Sequence, residues 1–279
     1  MNDHLERLLY DILEENIPTL EDETDQLITN QISETVVLSQ TTGLISGVDV
    51  MTKLLYIVDD SMVVKVINGN GSFVEPDDII AIIKGKTSMT MRAVPIAMHM
   101  VSLMSGIAST LNPFLTLLED YPTSVFQGPL VTPLFSLFEQ YAFVQSGGKL
   151  WNQEYPNLSR LTQTHFEACS GVQSAVIRLL ESIDQYAMIA VEVRSFDEYV
   201  AAISSECDMI ILHEMPIPLL HRCLATPAED KIRIMEGELS LSDMEELLQY
   251  RVDGIRPYLA QTPMRLNQIQ HRLDDTNER

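Results

Sequence analysis

Apolar positions along this chain recur with two periods, and the change from one to the other divides it. Leu5, Leu8, Leu9, Ile12 and Leu13 fall at helical spacing over 4–16 and predict an amphipathic helix. The β-branched runs ETVVLS (34–39) and MVVKVI (62–67) predict strands, with a helix over SGVDVMTKLLYIVDD between them. NGNGS is a turn signal, because Asn and Gly accept the left-handed backbone of tight hairpins. Asp77-Asp78 then ends a loop before the strand IIAIIKG. The acidic stretch from Thr19 to Asp25 predicts a solvated loop. From Thr87 to Leu118 an apolar segment predicts one long helix. Pro95 and Gly106 are expected to bend or break it and Pro113 to end it, since proline lacks the amide proton. The first 112 residues thus predict an α+β unit with an antiparallel sheet.

After about residue 123 the rhythm becomes strand then helix. AMIAVEV (187–193), MIILHEM (209–215) and KIRIMEG (231–237) are short apolar strands starting 22 residues apart. The stretches FDEYVAAI, PLLHRCL and LSDMEELLQYR follow them as helices. Strands this continuously apolar are buried on both faces, the pattern of a parallel sheet or barrel. In a barrel the chemistry sits at the carboxyl ends of the strands. Those ends carry Glu192, His213 with Glu214, and Glu236.

Composition narrows the function classes. Among 279 residues, 18 Lys and Arg face 40 Asp and Glu, a formal charge of −22. Clustered cations are what hold phosphate backbones and anionic lipid, so neither nucleic acid nor a membrane surface is an expected partner. No stretch approaches the ~20 uncharged apolar residues of a spanning helix. The acids within the apolar stripe of MNDHLERLLYDILEEN do not suit a secretory signal. Cys169, Cys207 and Cys223 are an odd, widely spaced set, which fits a reducing cytoplasm rather than a disulfide framework. The expected location is therefore cytoplasmic.

Several segments, in order, resemble one family. SGVDVMTKLLYIVD, VEPDDIIAIIKGKTSMTMR, MVSLMSGIAST, FEQYAFVQSGG, AVEVRSFDEYVAAI, CDMIILHEM and the final VDGI are similar to nicotinate-nucleotide pyrophosphorylase, or quinolinate phosphoribosyltransferase. The resemblance implies an α/β fold: an N-terminal α/β sandwich domain plus an open, seven-stranded β/α barrel. The sandwich would span 1–112, joined by the C-terminal segment, with the barrel at 113–265 and a tail at 266–279. A homodimer with sites between subunits is implied as well. The family joins quinolinate to phosphoribosyl pyrophosphate in a ring of Arg and Lys, with acids that hold magnesium.

This chain departs from that pattern at most basic positions. Val94-Pro95 stands where the family has Glu-Arg, and Gly128, Pro129, Leu130 and Val131 replace Thr-Arg-Lys-Thr. Gln140, beside a retained Tyr141 and Ala142, replaces a basic residue, and Trp151-Asn152 replaces His-Arg. Thr162 replaces the Lys of Lys-Asp-Asn-His, whose last residue His165 matches. Glu192 also matches, His213 replaces Asp, and Met235, Glu236, Gly237 and Glu238 occupy the phosphate cradle. From Pro113 to Asp230 the basic residues are Lys149, Arg160, Arg178, Arg194 and Arg222, some expected on outer helices. The expectation is a mouth emptied of cations that repels phosphate.

Candidate site residues follow. Glu192 and His213 are a candidate acid/base pair; without a metal-binding motif, a metal site with His165 and Glu236 is the weaker alternative, and no metal or cofactor is expected. Trp151, His165, Glu236, Lys149, Arg92 and Tyr141 are candidate ligand-binding residues, with Trp151, Tyr141 and Phe143 able to stack a planar small molecule. Arg92 and Lys149 are conceivable substitutes for the missing cations. The structural alternatives are that Glu192 is a hydrogen-bond acceptor, that His213 fills space and that Trp151 plugs a vacated cavity. Met89, Met91, Met98, Met100 and Met104 predict core or interface packing, and His99 an interior histidine. The functions open at this point are a repurposed enzyme, a non-catalytic homologue that binds a ligand or pairs with an active paralogue, and a residual pyrophosphorylase.

Overall fold

A computed structural model describes residues 3–17, 28, 31–129, 132, 133, 135–184, 186–228, 230–259 and 262–272. The expected acidic loop at 19–25 lies outside them. The chain divides into two compact units, the first comprising 1–112, 132–146 and 260–279, the second 113–131 and 147–259. Residues 132–146, placed by the sequence within the barrel, group with the first unit.

The first unit contains α1 (Asp3–Asn16), β1 (Ile32–Ser39), β2 (Gly43–Leu44), α2 (Val48–Val58), β3 (Val63–Val66), β4 (Phe73–Val74) and β5 (Ile79–Lys86). It also holds most of α3 (Thr87–Leu117), together with α4 (Ser136–Gln145) and β12 (Leu266–Arg272), the last expected as tail. Its main sheet runs β12-β1-β5-β3, antiparallel throughout. Strand β1 alternates, burying Ser33, Thr35, Val37 and Ser39 on one face. Ser33 there shares a 3.0 Å hydroxyl bond with Thr90 of α3, and Gln270 of β12 donates to both.

Helix α3 runs unbroken through Pro95, Gly106 and Pro113, against expectation. Each proline forfeits a main-chain bond at a cost of ~3 kcal/mol in a helix interior. Burial of Val101, Met104, Leu111 and Phe114 returns about 1.5–3 kcal/mol per side chain, and burial wins. By length and composition α3 could cross a membrane, a correction to the composition argument, yet 61% of its most apolar stretch is buried in the protein. His99 is exposed rather than interior. Gly106 has a packing role: a Cβ there would lie 2.2 Å from the carbonyl oxygen of Thr262.

The second unit contains β6 (Ser124–Val125), α5 (Trp151–Glu154), β7 (Leu158–Leu161), α6 (Gln163–Cys169), α7 (Val172–Leu180), β8 (Met188–Val193) and α8 (Phe196–Ile203). It continues with β9 (Met209–His213), α9 (Ile217–Ala225), β10 (Ile232–Gly237), α10 (Leu241–Leu247) and β11 (Gly254–Pro257). The strands form one parallel sheet in the order β6-β11-β10-β9-β8-β7, open at β6 and β7. Six strands are thus present among the described residues where seven were expected. Its inner face packs Phe126, Ala190, Met209, Ile211 and Ile234 into a dry floor. Gly254 makes room for that floor, since a Cβ would meet the Phe126 ring at 2.4 Å.

Candidate active site

Strand register places the polar residues. His213 of β9 pairs with Glu236 of β10, and Glu236 pairs with Arg256 of β11. On β8, Glu192 pairs with Ile211, two residues before His213, and Ala190, two before Glu192, pairs with Arg160 of β7. Side chains two apart share a face, so Arg160, Glu192, His213, Glu236 and Arg256 all point into the barrel above the apolar floor.

Glu236 is the hub and is 2% exposed. Its Oε1 accepts from Arg160 Nη2 at 2.5 Å and from His213 Nδ1 at 2.7 Å. Its Oε2 accepts from Arg160 Nη1 at 3.1 Å and from Arg256 Nη1. Four donors use the four lone-pair sites of a carboxylate. Burial pushes this carboxyl up, but the Arg160 bond, the charges of Arg256 and Arg160 and the His213 bond outweigh it and hold it below its ordinary value.

Glu192 is similarly engaged. Its Oε2 takes Arg160 Nη2 at 2.8 Å and Nε at 3.0 Å, and its Oε1 takes Arg194 Nε at 3.1 Å. Arg256 is fixed from two further sides, donating Nε to the Gln127 carbonyl at 3.2 Å and lying 4.3 Å over the Trp151 ring. Trp151 in turn stands edge-on to Phe126, 5.3 Å between centroids.

His213 stands at the centre of the strand-end carboxylates. Its Nδ1 bonds Glu236, which leaves Nε2 as the ring's second polar atom. That atom lies 3.6 Å from Glu192 Oε1 and 3.7 Å from Glu214 Oε2. Both oxygens of Glu192 are held by guanidinium groups. Beside the network opens a cleft of about 510 Å³, walled by Leu212, Met215 and Leu220 and edged by Glu214, Glu238 and Tyr258. Burial, then the charges of Glu236 and Glu214, push the Tyr258 phenol up to about 12, so it remains an O–H donor.

The remaining candidates fall elsewhere. His165 is exposed, and its Nδ1 accepts the Thr162 amide at 3.1 Å in a capping box that starts α6. Lys149 is exposed, its backbone bridging to Phe126. Arg92 and Tyr141 belong to the first unit, where the Tyr141 hydroxyl donates to Asp49 and its phenol, raised by burial and then by that bond, sits at about 12. Phe143 is buried in the same unit.

The expectation of a mouth without cations is corrected: Arg160, Arg194 and Arg256 stand there, while Arg178 and Arg222 lie on α7 and α9. Arg256 fell outside the stretch counted, and Arg160 was counted without its strand position. The signal was present as alternation, Leu158 then Arg160, Gly254 then Arg256. Glu192 and Glu236 do not fit magnesium, because the guanidinium groups and the imidazole take their oxygens. Among the described residues no three His, Cys, Asp or Glu side chains are grouped to hold a metal.

With parallel strands, helices between them and a polar strand-end site on the page, similarity supplies the lineage. The family model of the quinolinate phosphoribosyl transferase C-terminal domain matches residues 107–261. The chain belongs to the quinolinate phosphoribosyl transferase family. A probable nicotinate-nucleotide pyrophosphorylase (carboxylating) of Synechocystis is 24% identical over 216 residues, 76% of this chain and 73% of that one. NadC from Streptococcus pyogenes superposes with a TM-score of 0.84 at 20% identity, covering 97% of this chain and 98% of the other. The nicotinate-nucleotide pyrophosphorylase of Francisella tularensis gives 0.82 at 19% identity, with 97% of each covered. At that identity these two structures speak for the fold alone.

Proposed function

We propose that this quinolinate phosphoribosyl transferase homologue is an enzyme acting on a small molecule less anionic than the family's two substrates, at the carboxyl ends of the barrel strands. One observation carries the reading: the barrel-end arginines are bridged to Glu192 and Glu236, and the adjoining cleft is lined by Glu214, Glu236 and Glu238. Three guanidinium groups face four carboxylates. A phosphorylated donor would have to displace internal partners and approach like charges, at ~1 kcal/mol per pair in water and more in a dry site. His213, oriented by Glu236, is the proton acceptor, and Tyr258 the hydrogen-bond donor facing the cleft. Proton transfer, cyclisation or elimination suits that pair.

A second reading, residual nicotinate-nucleotide pyrophosphorylase activity, is favoured by the name of the Synechocystis relative and by Arg194, whose side chain is half exposed beside Glu192. Calorimetry with phosphoribosyl pyrophosphate and magnesium at millimolar concentration separates the two. No binding heat is expected; saturable heat, with nicotinate mononucleotide formed when quinolinate is added, replaces the first reading with the second.

A further inference from the structure

Two guanidinium groups converge on a single carboxylate at the barrel end, and that carboxylate belongs to the chain itself. Arg160 meets Glu236 as a planar fork, one nitrogen on each oxygen, as it would a bound carboxylate or phosphate, and Arg256 adds a single bond from Nη1. Each cation also has a hold of its own: Arg160 on Glu192, Arg256 on the Gln127 carbonyl and the Trp151 ring. Strand β10 pairs with β9 and β11 through its main chain, so the strand does not depend on the Glu236 side chain. Glu236 is also among the residues that line the adjoining cleft.

We propose that Arg160, Arg256 and His213 form an oxyanion cradle whose resident occupant is Glu236, an internal ligand that keeps external carboxylates and phosphates out. This rests on the reading that the intact site takes no phosphorylated donor, and it names the reason: the cradle is filled from within. Once the side chain is shortened, the cradle is free for a soluble oxyanion of similar size.

The test is chemical rescue of Glu236→Ala, using acetate and inorganic phosphate as probes, with chloride holding ionic strength constant. The variant should melt below the parent, and either probe at saturation should raise its Tm by about 5–10 °C. The parent and Glu236→Ala/Arg256→Met should show no saturable rise. Rescue by acetate alone defines a carboxylate-sized cradle, and rescue by phosphate extends it to phosphate; both support the proposal. No saturable rise with either probe, or an equal rise in the parent, overturns it. If Glu236→Ala does not fold, refolding yield replaces Tm: recovery only with an oxyanion supports the cradle, and no recovery with any salt refutes it. Failure of rescue leaves the functional reading standing, whereas binding of phosphoribosyl pyrophosphate by the parent removes that reading.

Discussion

Both units bury polar atoms, yet apart from Glu139, buried in the first beside the Thr132 amide, they do so with opposite chemistry. In the first, buried hydroxyls bond neutral partners: Ser33 with Thr90, and Ser105 with the Ser46 backbone at 2.9 Å. In the second, charged side chains are buried, and Glu236 alone gathers two arginines and a histidine. A neutral hydrogen bond contributes about 0.5–1.5 kcal/mol net, whatever the pH. A buried charge network contributes little over an apolar replacement, but it is costly to break on one side. Polar burial in the first unit therefore fastens chain segments together, while in the second it holds charged side chains in fixed positions.

The largest break expected is at the charged side. Arg256→Met should cost about 3–5 kcal/mol in urea denaturation at neutral pH, because it strips one cation from a buried carboxylate. Its pH dependence sharpens the contrast. Glu236 is held below its ordinary value of 4.5, so its contribution is complete above that pH and is lost as pH falls through the lower folded value. The gap between parent and Arg256→Met should accordingly be full at pH 7 and close in acid. A gap that persists unchanged to acid would mean that Arg256 acts by packing on Trp151.

The neutral side should break differently. Gly106→Ala would gain up to ~1 kcal/mol of helix propensity, but the clash with the Thr262 carbonyl should dominate, for a net loss of about 1–3 kcal/mol. That loss should be flat with pH over the same range. Smallest of all, His165→Ala removes an exposed capping group and should cost about 0.5–1 kcal/mol, leaving any ligand affinity unaltered. Weakened ligand binding in that variant would return His165 to the site.

Much of this was legible in the chain. β-branched and apolar runs, with helical spacing between them, located β1, β5, β8, β9 and β10 with their helices, and strand ends pointed to Glu192, His213 and Glu236. The prolines of α3 misled because local rules do not see the burial that overrides them. Arg160 and Arg256 were missed for a related reason. A count of cations ignores which face of a strand each occupies, and their pairing with Glu236 spans three separate strands. Only register brings them together. His165 matched a family motif yet serves its own helix, a role set by Thr162 three residues earlier.

The closing of the first sheet by β12 has a consequence for biosynthesis. Ser33 and its partner Gln270 are 237 positions apart, so a ribosome must thread out the whole second unit before β1 can acquire that neighbour. Until then the outer edge of β1 stands ready for any passing extended segment, and the nascent chain is most open to mispairing and chaperone capture in that interval.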